Sequence, residues 1–329
     1  MANIGIIGAG SWGCAICWLL CNNGHRTTIW SYSEAEKEML VKYHENIDRL
    51  PGVKLPDSVK FTTDLNEAIA GKDLIVCVVP SVALRSTAHN MRPYVSEGQI
   101  IVTLTKGIEE GTNMIMTDVI QQEIPQADAA VMSGPSHAEE VGRGLPTTIV
   151  VGAKTKETST YIQSLVSSKT FRTYSSEDML GIELGGALKN VIALAAGMAD
   201  GLGYGDNTKA ALITRGIAEI SRLGTAMGAE TSTFFGLSGI GDLVVTCASV
   251  HSRNRKAGFL IGQGRTMQEA MDEVHMVVEG VYSAKAALDL SKKYNVDMPI
   301  VAEVNKILFE GTPAAEAVNR LMQRDLKAE

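Results

Sequence analysis

A chain of 329 residues is long for one core and is expected to form two domains. Its 45% hydrophobic and 20% charged residues describe an ordinary soluble globular protein. A net charge of −7 argues against nucleic acid as a partner, because a phosphate backbone calls for a basic face; cations for any anionic ligand must be gathered locally.

Residues 4–7 are a short β-branched run that reads as a buried strand. It breaks at Gly8-Ala9-Gly10-Ser11-Trp12-Gly13, and an apolar-faced helix follows. The G-x-G-x-x-G fingerprint of a dinucleotide site therefore lies in its required strand–turn–helix setting. Gly8 makes the tight turn, Gly10 lets the backbone approach a pyrophosphate, and Gly13 lets the helix sit close to the sheet. The free N–H groups at the helix start, helped by the dipole, face the phosphates. No basic residue precedes this apolar start and glycines interrupt it, so it is not read as a signal peptide. Its helical part, 11–21, is too short to span a bilayer, and no later segment is expected to insert into one. The expectation is a cytoplasmic, soluble protein. Cys14, Cys17 and Cys21 share one face of the helix. Their spacing permits a metal site, but no second pair of ligands lies near, so small thiols packing the helix on the sheet is the preferred reading.

Gly24 is placed as a left-handed cap, and residues 27–30 as the second strand. An NAD-specific site would have an acidic residue near that strand's end; here Ser31-Tyr32-Ser33 stands instead, with Glu34 beyond. These hydroxyls suit either cofactor, while Ser33 with Glu36 equally reads as a capping box. A helix over 34–46, a loop over 51–56, a strand over 59–62 and a helix from 64 follow. Residues 74–79 and 99–104 are apolar runs expected as central parallel strands, the second delivering Thr105-Lys106-Gly107 to its carboxyl end. Helices are expected over 81–90, 114–122 and 156–167, and strands over 129–132, 147–151 and 171–174. Ser133-Gly134-Pro135-Ser136-His137-Ala138 follows the first of these strands. This alternation predicts an α/β, doubly wound, Rossmann-like parallel sheet over residues 1–175. Residues 176–329 change texture: helical runs over 178–199, 207–227, 281–294, 298–309 and 313–325, with almost no strand signal, predict an all-helical domain. The long helix is expected to join the two domains, with the active cleft between them.

Within the helical half, Glu183-Leu-Gly-Gly-Ala-Leu-Lys189-Asn190 puts two adjacent glycines inside a helix, which costs roughly 1 kcal/mol each relative to alanine. A helix or a ligand must approach closely there. Lys189 is the one charge on an otherwise apolar stretch until Asp200, as suits a lysine facing a cleft and acting as general acid or base. Gly239-Ile-Gly-Asp242 is polar and glycine-rich, and His251-Ser-Arg-Asn-Arg-Lys256 gathers three cations at the opening of a helix, with Arg253 able to fork onto a phosphate. Residues 277–280 read as a strand-to-turn segment before a helix.

Taken together, the glycine turn 8–13, Thr105-Lys106-Gly107, 133–138, 183–190, Leu237-Ser-Gly-Ile-Gly-Asp242 and Ser252-Arg253-Asn254 occur in the order and spacing of one family. The chain resembles the NAD(P)-dependent glycerol-3-phosphate dehydrogenases of the bacterial, cytosolic, flavin-independent type over essentially its whole length. The resemblance implies NAD(P)H-dependent reduction of dihydroxyacetone phosphate to sn-glycerol 3-phosphate, feeding glycerophospholipid synthesis. It also implies a helical domain of the 6-phosphogluconate-dehydrogenase type and a homodimer. It assigns cofactor contacts to Ser11, Trp12, Lys106, Ala138, Arg253, Val277 and Glu279, beside Gly8, Gly10 and Gly13 of the turn and the Tyr32 hydroxyl read above. Substrate contacts fall to Lys106, Gly134, Ser136, Lys189, Asp242, Ser252, Arg253 and Asn254. Lys189 is the implied proton donor and acceptor; no metal is implied. Family members often carry a basic residue near position 32, so Tyr32 argues against a strong NADP preference.

The implied chemistry requires Lys189 as ammonium for reduction and as neutral amine for the reverse, so its pKa is expected to fall from about 10.4 toward neutrality. Burial and a nearby Lys106 would lower it, whereas a direct Asp242 partner would raise it; Asp242 is therefore expected to orient the lysine or a substrate hydroxyl. A β-hydroxyacid or 6-phosphogluconate-type dehydrogenase shares the plan. A redox sensor that binds NAD(P)H without turnover would not need Lys106, Lys189 and Asp242 together. A UDP-sugar-type dehydrogenase would need a nucleophilic cysteine, and Cys247 has no activating His or Lys within a few residues.

Overall fold

The structure is a computed structural model and describes residues 1–326. The chain divides into a unit of Met1–Lys106 with Ile115–Ile182 and a second of Gly107–Met114 with the residues from Glu183 onward. The expected boundary after residue 175 falls near the end of the last strand, and the eight-residue excursion 107–114 had no signal in the sequence.

The first unit alternates strand and helix. In chain order it holds β1 (Asn3–Ile7), α1 (Ser11–Asn22), β2 (Arg26–Trp30), α2 (Glu34–Tyr43), β3 (Lys60–Thr62), α3 (Leu65–Ile69), β4 (Leu74–Cys77), α4 (Ser81–Met91) and β5 (Ile100–Thr103). There follow α5 (Met116–Glu123), β6 (Asp128–Ser133), α6 (Ala138–Val141), β7 (Thr147–Ala153), α7 (Lys156–Val166) and β8 (Phe171–Ser176). The strands form one sheet in the order β3-β2-β1-β4-β5-β6-β7-β8. β1 and β4 are buried along nearly their whole lengths because helices cover both faces, which is why their sequences read as unbroken apolar runs. The order reverses between β1 and β4, and the crevice at the carboxyl ends of these strands is where open α/β sheets bind ligands. One strand departs from the expected parallel sheet: β7 runs antiparallel to β6, while β8 returns parallel to β7. The β6–β7 link carries only the four-residue α6, and a short link of this kind suits strand reversal better than a right-handed crossover.

The α1 thiols pack as apolar groups. Cys14 and Cys17 are buried, and the Cys17 and Cys21 sulfurs share the Thr27 hydroxyl at 3.3 and 3.1 Å. No group of three metal-ligating side chains is assembled among the described residues.

From Glu183 onward the second unit is helical among its described residues. It contains α8 (Met179–Gly201), whose first turn belongs to the first unit, α9 (Asp206–Met227), α10 (Thr231–Phe234), a π-type turn (Leu237–Gly241), α11 (Asp242–Ala248) and α12 (Arg253–Gly262). It ends with α13 (Met267–Val274), α14 (Glu279–Lys293), α15 (Pro299–Glu310) and α16 (Ala314–Met322). α8 and α12 cross backbone to backbone. A Cβ built on Gly197 or Gly201 would lie 2.1 or 2.2 Å from Arg255 O or Phe259 O, and one on Gly258 or Gly262 would lie 2.1 or 2.3 Å from Leu194 O or Met198 O. The expectation of no segment able to span a membrane needs correction. By length and hydropathy α8 and the stretch 231–248 both qualify, but α8 is mostly buried as a core helix and the other is broken at Gly239, whose backbone is not helical.

A buried carboxylate ties α9 to α15. Glu219 accepts from Ile300 N at 2.9 Å and Val301 N at 3.3 Å, at the start of α15. Burial pushes its carboxyl up to about 7 from the usual 4.5, against the pull of these two donors and of Arg222. Between these values the folded protein keeps a proton that the unfolded chain has lost. Stability therefore falls as pH rises through that window and levels off above it. Denaturant midpoints measured at roughly pH 5 and pH 8 should differ less for Glu219→Gln than for the wild type; an unchanged difference would count against this assignment.

Candidate active site

The glycine turn follows directly from β1. Gly8 sits at φ +120°, a conformation closed to most side chains, and donates its N–H to Trp30 O at 3.0 Å. A Cβ on Gly13 would lie 1.9 Å from Gly8 O, so only glycine lets α1 start this close to the turn. Gly10 is the N-cap of α1, with no side-chain capping bond, and Ser11 and Trp12 form the first turn. The first N–H groups of a twelve-residue helix thus open toward a cradle that a Cβ on Gly10 would partly fill; its sole neighbour within 4 Å would be Arg49 Nη1, at 3.8 Å. This cradle fits a pyrophosphate.

At the end of β2 the three hydroxyls have separate fates. The Ser31 hydroxyl donates to Glu36 Oε2 at 2.6 Å, and Ser33 caps α2 by accepting from Glu36 N at 3.4 Å. The capping box is half formed, because the Glu36 carboxylate turns to Ser31 and Asn46 instead of the Ser33 backbone. Tyr32 is 90% exposed.

Beyond β5, Lys106 Nζ donates to Gly134 O at 3.0 Å and to Ser136 Oγ at 3.5 Å, and the Ser136 hydroxyl itself donates to Gly134 O at 2.9 Å. Lys106, Gly134 and Ser136 therefore form one cluster where β5 and β6 end, next to Ala138 at the start of α6. Buried beside them, the Ser133 hydroxyl has no hydrogen-bond partner among the described residues.

In the second unit Lys189 and Asp242 are 5% and 1% exposed. The Lys189 ammonium donates to the Asp242 carboxylate and, at 2.7 Å, to Thr246 Oγ1; the Thr246 hydroxyl donates to Asp242 O at 2.6 Å. The glycines of α8 explain how the pair meets. Gly185 is one helical turn before Lys189 on the same face, and its would-be Cβ lies 2.5 Å from Ser238 O. The missing side chain admits the π-type turn, which hands Asp242 to the lysine. A carboxylate in direct contact favours the ammonium form, opposite to the lowering expected from burial and Lys106. Asp242 does hold the lysine in place, but as its ion-pair partner.

Ser252 caps α12 by accepting from Arg255 N at 3.2 Å. Asn254 donates from Nδ2 to Asn190 Oδ1 at 2.9 Å and accepts from Gly280 N on Oδ1 at 2.8 Å, while Arg253 Nη1 donates to Val277 O at 3.2 Å. The Ser252–Asn254 segment is thereby bonded to the residue after Lys189 and to the segment that carries Val277 and Glu279. The expected strand-to-turn at 277–280 is absent: Val278 is the N-cap and Glu279 the first residue of α14, because Gly280 N is drawn onto Asn254. Burial pushes the Cys247 thiol up to about 12, which removes it as a nucleophile. Thr246 was not singled out in the sequence, and Asn190 only as the end of the 183–190 stretch, with no role; Thr246 stands one helical turn after Asp242, the one signal that pointed to it.

The sheet order and the glycine turn define the first unit as a Rossmann-class dinucleotide-binding domain. Two family models match, one described as the N-terminus of NAD-dependent glycerol-3-phosphate dehydrogenase over residues 3–159 and one as its C-terminus over 178–319. The chain belongs to the NAD-dependent glycerol-3-phosphate dehydrogenase family. An NAD(P)+ glycerol-3-phosphate dehydrogenase of Agathobacter rectalis is 66% identical, covering 100% of this chain and 98% of that protein. Its counterpart in Fusobacterium nucleatum is 57% identical, covering 100% and 99%. The crystal structure of glycerol-3-phosphate dehydrogenase from Coxiella burnetii superposes with a TM-score of 0.95 at 36% identity, covering 98% of this chain and 99% of that one.

Proposed function

We propose that the protein reduces dihydroxyacetone phosphate to sn-glycerol 3-phosphate with NADH or NADPH, reversibly, and so supplies glycerophospholipid synthesis. The observation that carries this reading is the buried Lys189–Asp242 pair in a chain whose other unit is a dinucleotide binder. Gly8, Gly10, Ser11, Trp12 and Gly13 would hold the cofactor's pyrophosphate, with Tyr32, Lys106, Ala138, Arg253, Val277 and Glu279 as further contacts. The bound nicotinamide supplies or accepts the hydride.

The remaining chemistry belongs to side chains. Lys189, held as ammonium by Asp242 and Thr246, stabilises the negative charge that builds on the substrate's ketone oxygen and gives that oxygen a proton. In the reverse direction it takes the proton back from the hydroxyl. Arg253, at the N-terminus of α12 with Ser252 and Asn254, binds the substrate phosphate, a geometry to which a guanidinium fork and helix N–H groups are suited. Lys106, Gly134 and Ser136 are read as further substrate contacts. Steady-state assays with dihydroxyacetone phosphate, run separately with NADH and NADPH, test the reading. Consumption of reduced cofactor is expected; none with either nucleotide would sink it.

The protein is further read as a cytoplasmic homodimer. Phe235, Val244 and Val250, in or just after α10 and α11, are 65%, 44% and 78% exposed, apolar side chains open to a second copy. Sedimentation should give a dimer that Val244→Glu weakens; a monomer mass for the wild type would overturn this.

A further inference from the structure

We propose that Arg49 is a phosphate clamp: its guanidinium stands over the glycine turn to take the pyrophosphate of the bound dinucleotide. The proposal rests on the dinucleotide-binding reading of the first unit and names a residue that reading does not include.

The first argument is position. A Cβ on Gly10 would have one neighbour within 4 Å, Arg49 Nη1 at 3.8 Å. In this motif a side chain is excluded at the second glycine because the pyrophosphate approaches the backbone there. The space left by the missing side chain is therefore the space the phosphate takes, and the guanidinium borders it.

The second argument is that the arginine is delivered by a fixed platform. Asn46, 1% exposed, donates from Nδ2 to Ala9 O at 2.8 Å and accepts from Arg49 N on Oδ1 at 3.0 Å. Leu50 N donates to Asn46 O at 2.9 Å, and Leu50, Val53 and Leu55 are buried beneath the loop. One buried amide thus ties the turn carrying Arg49 to the residue between the first two glycines.

The third argument is charge. The first turn of α1 has no acidic residue to compete with an anion, and neither Ser31, Tyr32 nor Ser33 at the end of β2 supplies a cation. Arg49 does. Its carboxylate partner is Glu36, at 3.3 Å, which also accepts from Ser31 Oγ and Asn46 Nδ2. Glu36 keeps those two donors when the guanidinium turns to a phosphate, and a guanidinium with five N–H groups can serve both partners at once. The Arg49 side chain is 51% exposed, so a ligand can reach it.

Calorimetric titration of NADH, NADPH and ADP-ribose into wild type and Arg49→Ala tests the clamp. All three ligands carry the pyrophosphate, and only NADPH carries a 2′-phosphate. The Kd for each should rise by a similar factor, about tenfold or more, as for loss of a charge-assisted hydrogen bond. Arg49→Lys should recover part of the loss, since it restores the charge without the fork. If wild type binds all three and Arg49→Ala binds them equally well, the clamp is wrong and the nucleotide site stands. If the variant weakens NADPH alone, Arg49 serves the 2′-phosphate and the pyrophosphate assignment is overturned. Wild type that binds none of the three removes the underlying reading and the clamp with it.

Discussion

Lys189→Met should lower kcat for dihydroxyacetone phosphate reduction by on the order of 10²–10⁴-fold while NADH affinity stays near wild type, because a positioned proton donor is worth that much and the glycine turn is untouched. The same substitution should also cost about 3–5 kcal/mol of stability, since it leaves the Asp242 carboxylate buried without its cation. The two effects can be separated. In Lys189→Met with Asp242→Asn, no buried charge is orphaned, so urea unfolding should return most of the lost stability while kcat stays low. A single variant that retains kcat within tenfold would remove Lys189 from the chemistry. A double variant no more stable than the single one would show that the pair is not what holds this part of the unit together. Asp242→Asn alone bears on the proton balance. Without the carboxylate the ammonium loses its partner, and the acid-side preference of the reduction should shift toward lower pH; an unchanged pH–rate profile and rate would remove Asp242 from the site.

Gly258→Ala should destabilise by about 3 kcal/mol, in the opposite direction to its effect on an open helix. On a solvated helix the change gains roughly 1 kcal/mol from propensity. Here the new methyl would sit 2.1 Å from Leu194 O, with Met198 N at 3.0 Å, and neither is the end of a side chain that can swing away. α8 and α12 must separate. Lys189 and Asn190 ride on one of these helices and Arg253 and Asn254 on the other, so kcat/KM should fall along with the urea midpoint. A midpoint equal to or above wild type would mean that the crossing is looser than its geometry states.

Much of this was readable before any coordinates. The glycine turn is local: strand, turn and helix lie within twenty residues, and each glycine has a steric task that the structure repeats at Gly8 and Gly13. The central strands β1, β4 and β5 were legible because parallel strands buried on both faces must be apolar nearly throughout. The direction of β7 was not, since an apolar run carries no sign of which way its neighbour runs. The individual candidates in the helical half stood out, Lys189 as a charge in an apolar helix and Asp242 after a glycine pair. Their direct contact did not, because the two lie 53 positions apart and meet through a turn whose fit depends on Gly185. Thr246 and Arg49 were passed over for a further reason. A threonine on a helix and an arginine in a loop are ordinary until a neighbour gives them something to hold.

The excursion at 107–114 has a genetic corollary. It belongs with the second unit, where Glu110 pairs with Lys285 at 2.9 Å, yet it is encoded in the middle of the first. The polypeptide therefore changes allegiance three times, after Lys106, Met114 and Ile182. No single cut in the gene yields two self-sufficient pieces: a break after Ile182 strands eight residues in the wrong fragment. A fragment cut there would carry residues 107–114 away from the unit they contact.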